Sequence, residues 1–157
     1  MTEPIGQTRV IRRAERRDIE ALVELLATLF TIETDFTIDA QRQQQGLLLI
    51  MERAEQCCIM VAECDNQVVG MCTGQVLVST AEGGLKVIVE DLVVAAKQRG
   101  CGLGSLLVAA VEQWAVNCGA TRMDLLADQR NRLALDFYQQ RNWQCTELIA
   151  LQKRLSP

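Results

Sequence analysis

The passage that most constrains this chain is Glu90 to Leu107, EDLVVAAKQRGCGLGSLL. An apolar run ends in Arg99-Gly100-Cys101-Gly102-Leu103-Gly104, and a helical pattern of leucines begins at once. That order predicts a strand feeding a glycine-rich turn that opens a helix. Such a turn gathers free backbone N–H groups and the positive end of a helix dipole around one small volume. A phosphate or pyrophosphate is its natural occupant. A plain tight turn would need fewer than three alternating glycines.

Spacing narrows the choice. A dinucleotide fingerprint, G-x-G-x-x-G from Gly100, would need glycine at 105, where Ser105 stands. No Gly-Lys-Ser/Thr follows, so a P-loop is excluded. The helix after the turn carries Leu103, Leu106, Leu107, Ala110, Val111, Trp114, Ala115 and Cys118 on one stripe, with Gly119 placed to end it. Arg122 to Ala127 then alternates as a strand. Strand, helix and strand across a long crossover imply a parallel pair.

Upstream, Arg9 to Arg12 reads as a short first strand. Ile19, Leu22, Leu26, Leu29 and Phe30 follow at helical spacing. A loop from Thr31 to Thr37 leads to a second helix, capped by Asp39 and running to about Ala54. Cys57 to Cys64, Gln67 to Val78 and Lys86 to Val94 are three apolar runs. Asp65-Asn66 and Glu82-Gly83-Gly84 link them, which predicts an antiparallel meander. After the parallel pair, Asn131 caps a helix from Arg132 to Arg141, Asn142 stops it, and Trp143 to Leu155 reads as a final strand. Residues 1–6 read as a frayed terminus. The expected fold class is α/β with a mixed sheet of the α+β type, in a single domain over residues 1–157.

Composition removes whole classes of chemistry. The chain has no histidine, and its seven cysteines (Cys57, Cys58, Cys64, Cys72, Cys101, Cys118, Cys145) include no C-x-x-C pair. A zinc site or a Cys–His nucleophile is not expected, and no metal is. Any general acid or base must come from a carboxylate, Tyr, Lys, Cys or water. The net charge of −4, with no long Lys/Arg run, argues against nucleic acid and suits cationic substrates better than anionic ones. The start of the chain shows no cationic and apolar signal pattern, and no run approaches a membrane span. A cytoplasmic protein is expected.

Two motifs together resemble a known family. Arg99-Gly100-Cys101-Gly102-Leu103-Gly104 matches the R/Q-x-x-G-x-G/A signature of the GCN5-related N-acetyltransferases (GNAT), and Glu90-Asp91-Leu92-Val93-Val94 is similar to the strand before it. Asn131, Ala134, Phe137 and Tyr138 resemble the N-x-x-A-x-x-F-Y pattern of the family's last helix, and Arg9 to Asp18 is similar to its opening. Asn142-Trp143 stands where the family often has Gly-Phe, and Ala95-Ala96 where it often has His-Pro.

The resemblance implies an acyl-CoA N-acyltransferase fold and acetyl-CoA as cosubstrate. It implies that the amides of Arg99, Gly100, Cys101, Gly102, Leu103, Gly104 and Ser105 cradle the pyrophosphate. The backbone of Leu92, Val93 and Val94 would pair with the pantetheine arm, with Asn131 and Ala134 lining the arm's other side. Tyr138, the only tyrosine, would be the general acid. Glu90, through water, or else Asp91 would be the base, and strand alternation would let only one of them face the site. Glu33 and Asp35 would draw a cationic amine to the acceptor site. The implied reaction is direct attack by a primary amine of a small molecule or peptide. A homodimer is a common family assembly. A non-catalytic acetyl-CoA-binding module and a nucleotide-binding enzyme are the alternatives.

Overall fold

The computed structural model describes residues 8–156. The expected frayed terminus at residues 1–6 lies outside them. The elements run β1 (Arg9–Arg13), α1 (Ile19–Ile32), α2 (Ala40–Glu52), β2 (Cys57–Cys64), β3 (Gln67–Ser79), β4 (Gly84–Val94), α3 (Leu103–Asn117), β5 (Ala120–Leu125) and α4 (Arg132–Gln139). The chain divides after Leu125 into two compact units.

The first unit holds a five-stranded sheet in the order β1-β2-β3-β4-β5. The first four strands pair antiparallel as a meander, and β4 and β5 are parallel. Local chemistry explains the meander. Asp65 and Asn66 both take positive φ, 49° and 65°, the conformation that a two-residue hairpin of type I′ requires. The parallel pair needs a crossover, which α3 supplies.

The two faces of the sheet are covered by different helices. On one, Leu22, Leu26 and Leu29 of α1 and Leu47 of α2 bury against Ile59, Val61, Met71 and Val93. On the other, α3 lies close over β3. A Cβ added at Gly74 would stand 2.8 Å from Val111 and 3.1 Å from Trp114, so this glycine is what lets the helix approach. Full burial of each of these leucines is worth about 2 kcal/mol relative to exposure.

An ion cluster ties β1 to the start of α1. Arg12 donates to both Asp18 oxygens at 2.8 and 3.0 Å, and to Glu63 Oε2 at 2.6 Å. Asp18 also accepts the Glu15 N–H at 2.7 Å. Asp18 is buried, yet the Arg12 guanidinium holds its carboxyl below the usual carboxylate range.

The second unit begins at Leu126. The Asn131 side chain caps α4 by accepting the Ala134 N–H at 3.1 Å. Asn142 takes a left-handed φ of 64° just beyond the helix. That turn brings Trp143 back against Tyr138, with ring centroids 5.7 Å apart. The expected final strand, Trp143 to Leu155, does not form. Leu148, Ile149, Leu151 and Leu155 are each more than four-fifths exposed. A strand is stable only with a hydrogen-bonding neighbour and a face to bury, and this segment has neither in its own unit.

Candidate active site

The glycine turn is built as its residue types require. Gly100 and Gly102 adopt φ of 77° and 84°, the left-handed region that a side chain resists. Gly102 is the N-cap of α3, so Leu103, Gly104 and Ser105 form the helix's first turn. The backbone N–H groups of Gly100, Cys101, Gly102, Leu103 and Gly104 have no backbone acceptor among the described residues. Open space lies over the α-carbons of Gly100 and Gly102.

Side chains of the turn serve to hold it. Arg99 Nε donates to the Val94 carbonyl at 3.0 Å, folding the turn onto the end of β4. The Cys101 thiol donates to the Gln98 carbonyl at 2.7 Å, a structural use.

The strand before the turn has a free edge. Parallel pairing of β4 with β5 ends at Val89 opposite Leu125, while β4 continues to Val94. Among the described residues, the backbone of residues 90–94 on that side therefore has no strand partner, and an extended ligand arm could add there.

The same point carries a β-bulge. Cys72 pairs with Leu92 and Gly74 with Val89, so the two residues Glu90 and Asp91 stand opposite the single residue Thr73. The bulge breaks the alternation expected of an ordinary strand. Glu90 and Asp91 both line one cavity of about 430 Å3, contrary to the expectation that only one could face it. Glu33, from the end of α1, lines the cavity too. Asp35 is not among its lining residues and is exposed.

Asp91 is the carboxylate most altered by its surroundings. Burial and the neighbouring charge of Glu90 push its pKa up to about 7; the Thr73 hydrogen bond opposes this, and Glu33 adds to it. Thr73 is wholly buried. Its hydroxyl accepts the Asp91 N–H at 3.0 Å and donates to Asp91 Oδ2 at 3.2 Å. Sequence reasoning missed Thr73, because its pairing with the carboxylates depends on the bulge.

Apolar and basic groups complete the cavity. Phe30 and Phe36, whose rings lie 5.4 Å apart, line it together with Leu26, Leu47 and Ile50, and so do Arg42 and Arg53. Both arginines were also missed, since neither belongs to a recognisable motif.

In the second unit, Tyr138 packs edge-on against Phe137 at 5.2 Å and against Trp143 at 5.7 Å. Arg141 stacks over Phe137 at 3.7 Å, and its Nη1 donates to the Phe137 carbonyl at 2.7 Å. The tyrosine ring is thus oriented by packing. Among the described residues, no group of three or more His, Cys, Asp or Glu side chains converges to hold a metal. No helix among them is long and apolar enough to cross a membrane.

A left-handed glycine turn opening a helix, beside a strand that runs on past the end of its parallel neighbour, is the arrangement of the acyl-CoA N-acyltransferase fold. The family model described as the acetyltransferase (GNAT) family matches residues 19–143. The chain belongs to the GNAT family of acetyltransferases, and it is an acetyl-CoA-dependent N-acetyltransferase.

Solved structures share the fold. An aminoglycoside N-acetyltransferase, AAC(6')-Iy in complex with CoA, superposes with a TM-score of 0.84 at 19% identity, covering 98% of this chain and 99% of its own. A transcriptional regulator from Bacillus halodurans C-125 gives 0.81 at 22% identity over 94% and 100%. An aminoglycoside acetyltransferase from an uncultured soil metagenomic sample, in complex with sisomicin, gives 0.73 at 21% identity over 95% and 97%. No curated protein matches the chain.

The residues present fit acetyl-CoA. Unused amides at Gly100–Gly104 suit a pyrophosphate, the absence of side chains at Gly100 and Gly102 leaves room for it, and the β4 edge suits the amide-bearing pantetheine arm.

Proposed function

We propose that this chain acetylates a primary amine of a small molecule or peptide, by direct attack of the amine on the thioester, with the acceptor bound in the cavity beside β4. The observation that carries this reading is the bulge that places Glu90 and Asp91 together in that cavity, at the start of the unpaired strand edge. Three carboxylates, with Glu33, suit a cationic amine. Two of the structurally similar proteins are aminoglycoside acetyltransferases, and their acceptor class is consistent with such a lining.

Acetyl-CoA supplies the activated acetyl thioester. The amides of Gly100 to Ser105 hold its pyrophosphate, and the backbone of Leu92, Val93 and Val94 orients the arm and polarises the acyl carbonyl. The acceptor must lose a proton. An amine of pKa near 10 is about a thousandth neutral at pH 7, a cost of about 4 kcal/mol without a base.

Asp91 takes that proton, because a carboxyl shifted close to the working pH is a better base than an ordinary one. Glu90, more exposed, holds the ammonium form on arrival. Tyr138 Oη donates the proton that the leaving sulfur needs. Asn131 and Ala134 contribute to the hold on the arm. The protein works in the cytoplasm, and a homodimer would cover exposed apolar side chains such as Leu148 and Leu151.

The test is acetyl-CoA turnover over a panel of amines, following the acetylated product by mass spectrometry, since accessible thiols such as the exposed Cys145 would react with a thiol dye. Asp91→Asn and Tyr138→Phe should each lower kcat, by about 100-fold or more for the base. CoA binding without acetylation of any amine would make the chain a cofactor-binding module instead. Full activity in Tyr138→Phe would remove the acid assignment.

A further inference from the structure

The acceptor cavity is not uniformly acidic. Glu33, Glu90 and Asp91 line it together with Arg42 and Arg53, and the wall includes Leu26, Phe30, Phe36, Leu47 and Ile50. A pocket evolved only for polycations would gain nothing from two guanidinium groups. Resting on the proposed acetyl transfer, we infer that the acceptor carries an anionic group, a carboxylate, joined to its amine by an apolar body. The acceptor class is a free apolar amino acid or short peptide, and Arg53 is the residue that selects it.

Several observations single out Arg53. It follows the end of α2, where its backbone N–H bonds to Ile50 and its carbonyl accepts from Gln56 and Cys57. Its position is therefore set by three backbone bonds. Its side chain has no hydrogen-bonded or ion-paired partner among the described residues. Arg42, by contrast, already lies 3.4 Å from Asp39, and Arg13 is spent on the Ala54 and Cys57 carbonyls. The Arg53 charge also opposes the rise that burial gives the pKa of Cys57, which lines the same cavity.

Register gives the scale of the site. Cys57, beside Arg53, pairs with Gln75, whereas Ile59 pairs with Thr73, the residue bonded to Asp91. These two levels are two residues apart along β2, about 7 Å. That backbone spacing, between the level of Asp91 and the level of Arg53, is of the order of the length of a dipeptide between its amine and its carboxylate. Apolar side chains in the same wall suit an apolar residue of the acceptor.

The experiment compares leucyl-phenylalanine with leucyl-phenylalanine amide, acceptors that differ only in the terminal charge. Spermidine and kanamycin are included as polycations. With the unmodified protein and saturating acetyl-CoA, the free acid should exceed the amide at least tenfold in kcat/KM, mainly through KM. In Arg53→Gln that ratio should fall below threefold, and Arg53→Lys should restore part of it. Calorimetry on the CoA-loaded protein should show the same preference in binding.

Equal turnover of acid and amide, or turnover of the polycations alone, overturns the inference while leaving acetyl transfer intact. So does a ratio unchanged in Arg53→Gln. Failure of the unmodified protein to acetylate any acceptor overturns acetyl transfer itself, and the inference with it.

Discussion

Replacing Asp91 by Asn should stabilise the protein while stopping the reaction, and the gain should depend on pH. In the folded chain, burial and the nearby Glu90 carboxylate push Asp91 from an ordinary 3.8 up to about 7. Between those values the native state keeps a proton that the unfolded chain has released. Stability then falls as pH rises through that window, because the native state binds more protons than the unfolded one. The full interval of about three pH units corresponds to a ceiling of about 4 kcal/mol. Asn is neutral throughout and can still accept the Thr73 hydroxyl through its amide oxygen.

The stabilisation in Asp91→Asn should therefore be small near pH 4 and larger at pH 8, by about 2 to 4 kcal/mol. Chemical denaturation of both proteins at the two pH values measures it, and the difference between the pH values cancels the effects of other titrating groups. A gain no larger at pH 8 than at pH 4 would refute the account of Asp91 as a base held up by its surroundings. A stabilised variant that kept full kcat would refute its catalytic role.

Other perturbations test separate parts of the structure. Thr73→Val removes a long hydrogen bond that favours the Asp91 carboxylate; at about 1 kcal/mol, its loss should move the acid limb of the kcat/KM profile up by about 0.7 pH unit. Gly102→Ala meets no neighbour but forces a left-handed φ of 84°; it should cost about 1 kcal/mol and weaken CoA binding, measured by melting and by calorimetry. Arg12→Met strands the buried Asp18 and should cost about 3 to 5 kcal/mol at neutral pH by denaturant unfolding. Because Asp18 is held below the usual range, the stability that Arg12 confers is present above the unfolded pKa. It should disappear as pH falls through the folded value.

Much of the fold is legible because its signals are local. Asp39 and Asn131 cap the helices that follow them, Asp65-Asn66 makes the hairpin, and the glycines at 100 and 102 take the φ values that only glycine takes freely. Apolar spacing placed α1, α2 and α3 within two or three residues of their ends, and the meander followed from the short links. The final strand failed for a related reason. Trp143 to Leu155 has strand-like composition, but strand formation depends on a partner elsewhere.

The candidate site was legible only as a set of residue names. Glu90, Asp91 and Glu33 could be named from their positions near a motif, as could Asp35, which does not reach the cavity. That both residues of the pair face one cavity follows from the extra residue in β4 opposite Thr73, and a register shift leaves no mark in the strand's own composition. The Arg53 side chain and the aromatic wall of Phe30 and Phe36 were likewise invisible, because helices distant from β4 in the chain bring them to it.

The division between the two kinds of information follows the range of the forces. The order of elements, the caps, the glycine turn and the family were determined by the sequence alone, since each depends on interactions within a few residues and on steric limits of the backbone. The tertiary structure decided the cavity, the unpaired edge of β4 and the pKa of Asp91. Desolvation and charge–charge coupling depend on which side chains surround a group, and only the packed sheet and helices determine that.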